Sequence, residues 1–404
     1  MSKETKNKMV PRLRFPEFCN SIGWQVKPLS KELSFQTGFP FDSGGFNIEG
    51  IGVRLIKNRD LKADDRITYY NKPFDEKFIV NDGDVLVGMD GEFSPMVWMK
   101  GRALLNQRVG RILAKENSDL NFLFYFLSIH LKRIEDTTAR TTVKHLSHSD
   151  IENINEALPT FPEQQKISSC LSSLDELITA ENQKLEALKE HKKGLMQQLF
   201  PAEGKKVPEL RFAEFKGSGE WEEDVLERKG IASFINEKIP LDELQLENYV
   251  STENLLPNYG DKTMSSNLPS SGSSTRYRKN DILLSNIRPY LRKVWLANIN
   301  GGASNDIIVI RAEHKLEPSF LSLLLRNDKF INYIMKGAEG VKMPRGDKDL
   351  IKLYPLAFPQ KEEQKKIAEC IFCLDELITE QAERIEALKQ HKKGLMQGLF
   401  PSTS

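Results

Sequence analysis

Two stretches of this chain share one hydrophobic rhythm. In the first, Ile167, Leu171, Leu174, Ile178, Leu185, Leu188, Leu195 and Leu199 are apolar; in the second, Ile367, Ile371, Leu374, Ile378, Ile385, Leu388, Leu395 and Leu399. The spacing alternates four and three, which predicts helices with a narrow coiled-coil seam rather than a broad core-facing side. Two seam positions in each copy are polar: Glu181 and Lys192, and Gln381 and Lys392. Pro162 and Pro359 suit helix starts, and Pro201 and Pro401 suit stops. At 1.5 Å per residue each rod is roughly 55 Å long. A narrow seam needs a partner, and the nearest one is the other copy. An antiparallel register with Glu181 facing Lys392 puts Lys192 opposite Gln381, Leu185 opposite Leu388, Leu188 opposite Ile385 and Ile178 opposite Leu395. A parallel register would stack Lys192 on Lys392, which like-charge repulsion disfavours. Domain appendages or an intermolecular dimer could carry the same period; the length and identity of the copies favour an intramolecular pair.

The similarity goes beyond period. "HKKGLMQQLFP" (His191–Pro201) returns as "HKKGLMQGLFP" (His391–Pro401), and the segments from Glu163 and from Glu363 are identical at 25 of 39 positions. Upstream, "PRLRFPEF" (Pro11–Phe18) matches "PELRFAEF" (Pro208–Phe215), Trp24 matches Trp221, and Phe161-Pro162 matches Phe358-Pro359. These upstream matches are 197 residues apart and the helices 200 apart, so three extra residues are expected between Pro359 and Glu363. The stretches Trp24–Leu158 and Trp221–Leu356 agree in length but little in sequence. Two similar frames thus hold two different inserts.

Both inserts read as mixed. "DGDVLVGMD" (Asp82–Asp90), "RVGRILA" (Arg108–Ala114), "NDILLSNI" (Asn280–Ile287) and "NDIIVIRA" (Asn305–Ala312) predict buried strands. "LNFLFYFLSIHLKRI" (Leu120–Ile134) and "SFLSLLLRNDKFINYIM" (Ser319–Met335) predict amphipathic helices. The fold class is therefore α+β: two pseudo-repeated inserts separated and joined by two long helices that form an antiparallel coiled coil.

A chain of 404 residues exceeds one ordinary core. Apolar residues at 39% and charged residues at 28% suit a globular chain. The polar start "MSKETKNKMV" lacks a signal core, and the longest apolar run, Phe122–Leu131, is far short of the roughly 20 residues a membrane span needs, so the expected location is cytoplasmic with no membrane partner. Four cysteines make no disulfide framework; Cys370 and Cys373 form one CxxC whose repeat partners are Cys170 and Ser173, which points to a helix face rather than a metal or redox site.

The net charge of +1 announces no polyanionic partner, so local patches must make that case. "RYRKNDILLSNIRPYLRK" (Arg276–Lys293) holds Arg276, Arg278, Lys279, Arg288, Arg292 and Lys293 against Asp281. "LLNQRVGR" (Leu104–Arg111) supplies Asn, Gln and Arg, the side chains best matched to adenine and guanine edges. "ARTTVKHLSHSD" (Ala139–Asp150) and "VKMPRGD" (Val341–Asp347) are polar and basic loops before the helices. Any one run could be a solvated face; two per insert, at similar places, point to DNA. Candidate recognition residues are Asn106, Gln107, Arg108, Lys144, Arg288, Tyr290, Arg292 and Arg345. Catalytic signatures are sparse. There is no GxxxxGK[ST] loop, and "NIRPY" (Asn286–Tyr290) lacks the double proline of adenine methyltransferases. Asp306 with Glu313 and Lys315 has the spacing of a metal-dependent nuclease, without a counterpart in the first insert. His145 and His148 lack further metal ligands.

Together "EQQKI…LDELIT…EALKEHKKGLMQQLFP" and its copy, "GDVLVGMDGEF", "LLNQRVGRI", "TTVKHLSHSDI", "DILLSNIRPYLRKVW" and "ASNDIIVIR" resemble the specificity subunits of type I restriction-modification enzymes over nearly the whole chain. The resemblance implies two target recognition domains, each reading one half of a split, asymmetric site in double-stranded DNA, with the helices as conserved spacers. It implies docking of two methyltransferase subunits and of restriction-translocase subunits, on candidate faces Leu174–Thr179 with Glu186–Gln197 and their copies. Adenine N6-methylation and ATP-driven cleavage would belong to those partners, with S-adenosylmethionine, ATP and magnesium bound there; no cofactor or metal is expected in this chain, which is read as non-catalytic. The expected domains are an N-terminal arm (1–23), recognition domain 1 (24–160), spacer helix 1 (161–201), a linker (202–220), recognition domain 2 (221–358) and spacer helix 2 (359–404). Competing readings are a degenerate nuclease using Asp306, Glu313 and Lys315, and a coiled-coil protein scaffold without DNA binding.

Overall fold

The computed structural model describes residues 8–91, 93–137, 145–338 and 343–401. The chain folds as two units. The first comprises residues 1–182 and 383–404, the second residues 183–382.

In the first unit the antiparallel sheet Leu33–Thr37, Val109–Ala114, Val85–Gly88, Pro95–Val97 carries the buried strands. All of Val85–Gly88 is buried, as a continuous apolar run requires. Gly110 is glycine because the Phe35 ring lies where a Cβ would be, 1.9 Å away. A five-stranded sheet (Phe46–Asn47, Thr68–Tyr70, Val53–Ile56, Ala103–Leu105, Ile79–Val80) holds a parallel pair between Ala103–Leu105 and Val53–Ile56. Helix α1 (Leu120–Thr137) buries Phe122, Leu123, Phe126 and Leu127 against the first sheet. Short helix α2 (His148–Glu152) starts at Ser147, whose hydroxyl accepts from the Asp150 amide while the Asp150 carboxylate accepts from the Ser147 amide.

A small sheet frames this unit: Trp24–Pro28 pairs with Lys8–Met9 on one side and Asn155–Leu158 on the other. It leads into α3 (Phe161–Leu199). Glu163 in the first turn of α3 is buried, yet charged partners surround it. Arg14 grips both its oxygens at 2.7 and 2.8 Å, and the Trp24 indole donates to it at 3.1 Å. A two-pronged guanidinium–carboxylate contact is the geometry in which a buried charge is best compensated.

The second unit repeats this plan. Ala232–Ile235, Ile307–Ala312, Ile282–Ser285 and Val294–Leu296 form the antiparallel sheet. Lys238–Ile239, Ser274–Tyr277, Gly301–Ala303 and Tyr249–Val250 form the second sheet, again with one parallel pair. Helix α1 is answered by two helices, α4 (Pro318–Leu325) and α5 (Asp328–Lys336), and α2 by α6 (Lys348–Lys352), capped by Asp347. Glu222–Val225 pairs with Pro355–Phe358 before α7 (Lys361–Leu399). Arg211 grips both oxygens of Glu363 at 2.7 Å, as Arg14 does Glu163.

The frame corrects one alignment. Asn155–Leu158 and Pro355–Phe358 are already 200 residues apart, and Gln164 and Gln364 donate to Pro159 and Pro359 carbonyls in the same way. Phe358 therefore answers Leu158 rather than Phe161, and Pro359 answers Pro159. The three extra residues enter earlier: Val85–Gly88 and Ile282–Ser285 are 197 apart, Val109–Ala114 and Ile307–Ala312 are 198 apart, and α2 and α6 are 200 apart.

Both long helices contribute to both units: α3 up to Asn182 and α7 from Glu383 belong to the first, the remainder to the second. In the first unit Lys392 bonds Asp175 at 2.5 Å and Arg384 bonds Glu181 at 2.9 Å, so the helices run antiparallel. In the second, Lys192 bonds Asp375 at 2.5 Å. The direction matches the heptad reading, but the register does not. Lys392 meets Asp175, six residues before Glu181, and Lys192 meets Asp375, six residues before Gln381. The inserts supply the reason. The Tyr125 hydroxyl donates to Asp175 at 2.7 Å, and Arg326 lies 3.9 Å from Asp375, so each aspartate is held where a lysine can close the group. Leu174, Ile178, Leu185, Leu188, Leu195, Leu374, Ile378, Leu388 and Leu395 are half-buried along the seam, and Ile385 is fully buried.

The tail of each repeated phrase ends in a core. Leu399 and Phe400 join the first unit, with Phe400 edge-on to Trp24; Leu199 and Phe200 join the second, with Phe200 edge-on to Trp221. At the single difference between the phrases, a Cβ on Gly398 would lie 2.4 Å from the Leu13 side chain, whose amide donates to the Gly398 carbonyl; the corresponding Leu210, equally exposed, donates in the same way to the Gln198 carbonyl.

Replacing Glu163 with Ala leaves a buried guanidinium without its carboxylate, so stability should fall by about 3–5 kcal/mol, read from urea unfolding of the purified chain; a loss within the scatter of surface substitutions would show the pair is dispensable. The register is tested by charge reversal. Asp175→Lys should destabilise by ~1 kcal/mol, since the pair is part-exposed, and Lys392→Asp in the same chain should recover part of that. The pair Glu181→Lys with Lys392→Glu should show no such recovery.

Candidate nucleic-acid interface

Each unit brings the same three segments to one corner: the turn after the central buried strand, the turn before the neighbouring strand, and the segment entering the short helix. In the first unit Asp90 bridges to His145, the Met89 amide donates to the Arg108 carbonyl, and the Leu146 amide donates to the Met89 carbonyl. In the second, Ile287 bridges to Arg345, the Arg288 amide donates to Pro344, and the Asn286 amide donates to Asp306. The chemistry at the two corners differs. Asp90 holds Arg108 at 3.3 Å and His145 at 2.9 Å. Asp306, from the turn before the neighbouring strand, holds Arg345, from the helix approach, at 3.2 Å.

Asn106, Gln107 and Arg108 form one tight turn, pressed against Gly38, where a Cβ would lie 2.1 Å from the Asn106 carbonyl oxygen. Gln107 and Arg108 are exposed; Asn106 is half-buried, its Oδ1 sealed without a hydrogen-bond partner among the described residues. Lys144 lies outside the described residues, as do 139–143 of one basic loop and 341–342 of the other. In the second unit Arg288 and Arg292 flank Pro289–Leu291, both in the left-handed backbone region (φ 51° and 56°). That conformation is costly for non-glycine residues and marks a turn held in place by its surroundings. Arg288 and Tyr290 project outward, and Arg292 pairs with Asp328 at 3.0 Å.

The basic run Arg276–Lys293 is not one patch. Arg276 is neutralised by Glu237 and Glu243, and Arg278 lies 3.6 Å from Glu237. Lys293 is turned inward onto the Thr252 carbonyl, where burial lowers its pKa. Only the Arg288–Arg292 turn reaches the corner. The nuclease-like trio does not assemble either. Asp306 and Glu313 stand at opposite ends of the strand Ile307–Ala312, roughly 20 Å apart at about 3.3 Å per residue. Glu313 accepts from Ser233 and from the Gly230 amide, and Lys315 pairs with Glu222. No group of three or more metal-ligating side chains occurs among the described residues, and no described helix is long and apolar enough to cross a membrane. Cys370 and Cys373 are free thiols on α7.

Sequence reasoning passed over Asp90 and Asp306 as the groups that orient the arginines, and over Phe39. The signal for Phe39 was "TGFPF" (Thr37–Phe41), two rings around a proline directly after a strand.

A second repeated feature lies on the helices. A cavity of about 890 Å³ in the first unit is lined by Arg12, His130, Arg133, Lys392, Lys393 and Met396; one of about 520 Å³ in the second by Lys192, Lys193, Met196, Tyr259, Arg326 and Lys329. Burial pushes His130 down to about 4, so it is neutral at pH 7 and its 3.4 Å contact with Glu156 is not an ion pair there. Lys192 and Lys392 are tied up in the seam, whereas Lys193, Lys393, His191 and His391 are exposed.

A family model for the type I restriction modification DNA specificity domain matches residues 18–190 and again 220–390. The chain belongs to that family, whose part in restriction-modification is recognition of DNA sequence rather than catalysis. It is 32% identical over 180 residues to the type I restriction enzyme EcoBI specificity subunit of Escherichia coli, an alignment taking in 44% of this chain and 38% of that relative's length. It is 26% identical over 416 residues to the MjaVIII specificity subunit of Methanocaldococcus jannaschii, covering 95% of this chain and 90% of the relative. The crystal structure of the type I S subunit from M. genitalium has the same fold (TM-score 0.64, 18% identity, 98% of this chain and 100% of that one).

Arg288→Ala and Arg345→Ala should each weaken duplex binding by about 1–3 kcal/mol if they reach base edges, and relax the preferred motif at one position. Fluorescence anisotropy at several salt concentrations checks this. A uniform loss across all sequences with a shallower salt slope would reassign the residue to phosphate contact.

Proposed function

We propose that this chain reads a split, asymmetric site in double-stranded DNA, one half per unit, and directs two methyltransferase subunits and the restriction-translocase subunits to it. The observation that carries the reading is the doubled family match: it falls once on each unit, and the two frames repeat while their corners present different side chains. Equal frames suit equal docking partners, and unequal corners suit unlike half-sites. Direct readout favours this chemistry, since Gln presents a donor and an acceptor to adenine, and Arg two donors to guanine, in the major groove.

Docking is supported by the two cavities lined by the repeated phrase. Exposed His191, Lys193 and Gln197 are identical to His391, Lys393 and Gln397, although seam packing does not require it. Adenine N6-methylation, ATP use and cleavage are assigned to the partners, with S-adenosylmethionine, ATP and magnesium bound there, and the complex is placed in the cytoplasm.

Modification mapping tests the proposal. The chain is expressed with its methyltransferase subunit in a host lacking adenine methylation, and genomic N6-methyladenine is located by sequencing. The expected result is a two-part motif with an unread gap, of which only one half changes when Trp24–Leu158 is exchanged for another insert. A stable complex that modifies nothing, together with no salt-sensitive duplex binding, would favour the protein scaffold instead.

A further inference from the structure

We propose that Phe39 is a base-reading residue of the first unit, its exposed ring receiving the 5-methyl group of a thymine. This rests on the reading that the Asn106–Arg108 corner faces the DNA.

Phe39 is 45% exposed, although it lies just after the strand Leu33–Thr37 and belongs to an aromatic cluster. Its ring packs against Phe41 and Phe78 with centroids 5.2 and 5.1 Å away, so one face is held and another is open. Its backbone is stitched to the recognition turn. The Phe39 amide donates to Leu105 at 3.0 Å, its carbonyl accepts from Gln107 at 3.1 Å, and the residue bridges to Asn106. The Phe39 backbone is therefore fixed to the turn that carries Gln107 and Arg108, and Phe41 and Phe78 hold the ring on that same edge.

Its packed face belongs to the aromatic cluster, and its open face leaves apolar surface in water beside the exposed Gln107 and Arg108. In the major groove the matching apolar feature is the thymine methyl, which phenylalanine contacts in direct readout. At the second corner the exposed ring is Tyr290, 49% exposed and contributed by a different segment. The apolar contact is thus placed independently in each unit, as expected where two corners read unlike sequences.

The test uses the complex with the methyltransferase subunit and a duplex carrying the mapped motif. Each thymine of the first half-site is replaced in turn by uracil, which removes only the methyl group. One replacement should weaken binding by the wild-type complex about fourfold, the scale of burying one methyl. Phe39→Ala should lose about the same on the thymine duplex and nothing further on the uracil duplex, and Phe39→Leu should retain part of the affinity. Additive losses, wild-type binding by Phe39→Ala, or a first half-site without thymine on either strand would overturn the proposal. Arg108→Ala separates the two layers. If it loses affinity while Phe39→Ala does not, only the thymine contact falls; if neither changes binding, the reading of this corner falls with it.

Discussion

A carboxylate in the first turn of each long helix organises the rest of the molecule. Glu163 and Glu363 are almost wholly buried, and each is gripped by an arginine from the segment that precedes its own unit's sheet. Either group alone would be strongly disfavoured away from water, so neither segment can be seated without the other. The pair fixes where the helix begins and which strand runs into it; in the first unit the Trp24 indole also donates to the carboxylate, whereas the buried Trp221 Nε1 has no partner among the described residues. The repeated PxLRFxEF phrase is conspicuous because the arginine, its flanking ring and the return of the chain must all be right together.

How much of this was legible depended on whether the deciding contacts were local. Heptad spacing revealed the helices, their antiparallel sense and their partly buried seam, because an apolar period is written along one stretch of chain. The register was not legible. Opposite charges at Glu181 and Lys392 gave a reasonable pairing, but Tyr125 and Arg326, from outside the helices, fix the aspartates that the lysines meet. The basic run around Arg276 misled for the same reason. Counting charges along a segment cannot reveal that Glu237 and Glu243 fold over two of them. At the corner, residue type picked out Gln107, Arg108, Arg288 and Arg345, while the aspartates that orient them and the ring of Phe39 emerged only from the fold.

The two corners show how a duplicated frame can diverge in chemistry without diverging in form. Each uses backbone bonds between three segments, and such bonds are indifferent to side chains. An arginine–aspartate pair occupies both, yet the arginine comes from the strand turn in one and from the helix approach in the other. Side chains can therefore be exchanged there without disturbing the backbone bonds that hold the segments together. The sheets beneath, with Gly110 under the Phe35 ring and four consecutive buried residues at Val85–Gly88, tolerate far less.

The placement of Phe400 has a consequence for how the protein is made. The first unit's core includes Leu399 and Phe400, so almost the entire chain must be synthesised before that core closes, whereas the second unit is continuous from 183 to 382. Order of synthesis and order of completion are therefore reversed: the half that emerges first finishes last. At elongation rates of roughly 5–20 residues per second, the amino-terminal sheets wait on the order of ten seconds or more with the Trp24 pocket open. A polypeptide ending before Leu399 would carry all of the second unit and a first unit lacking two of its buried core side chains.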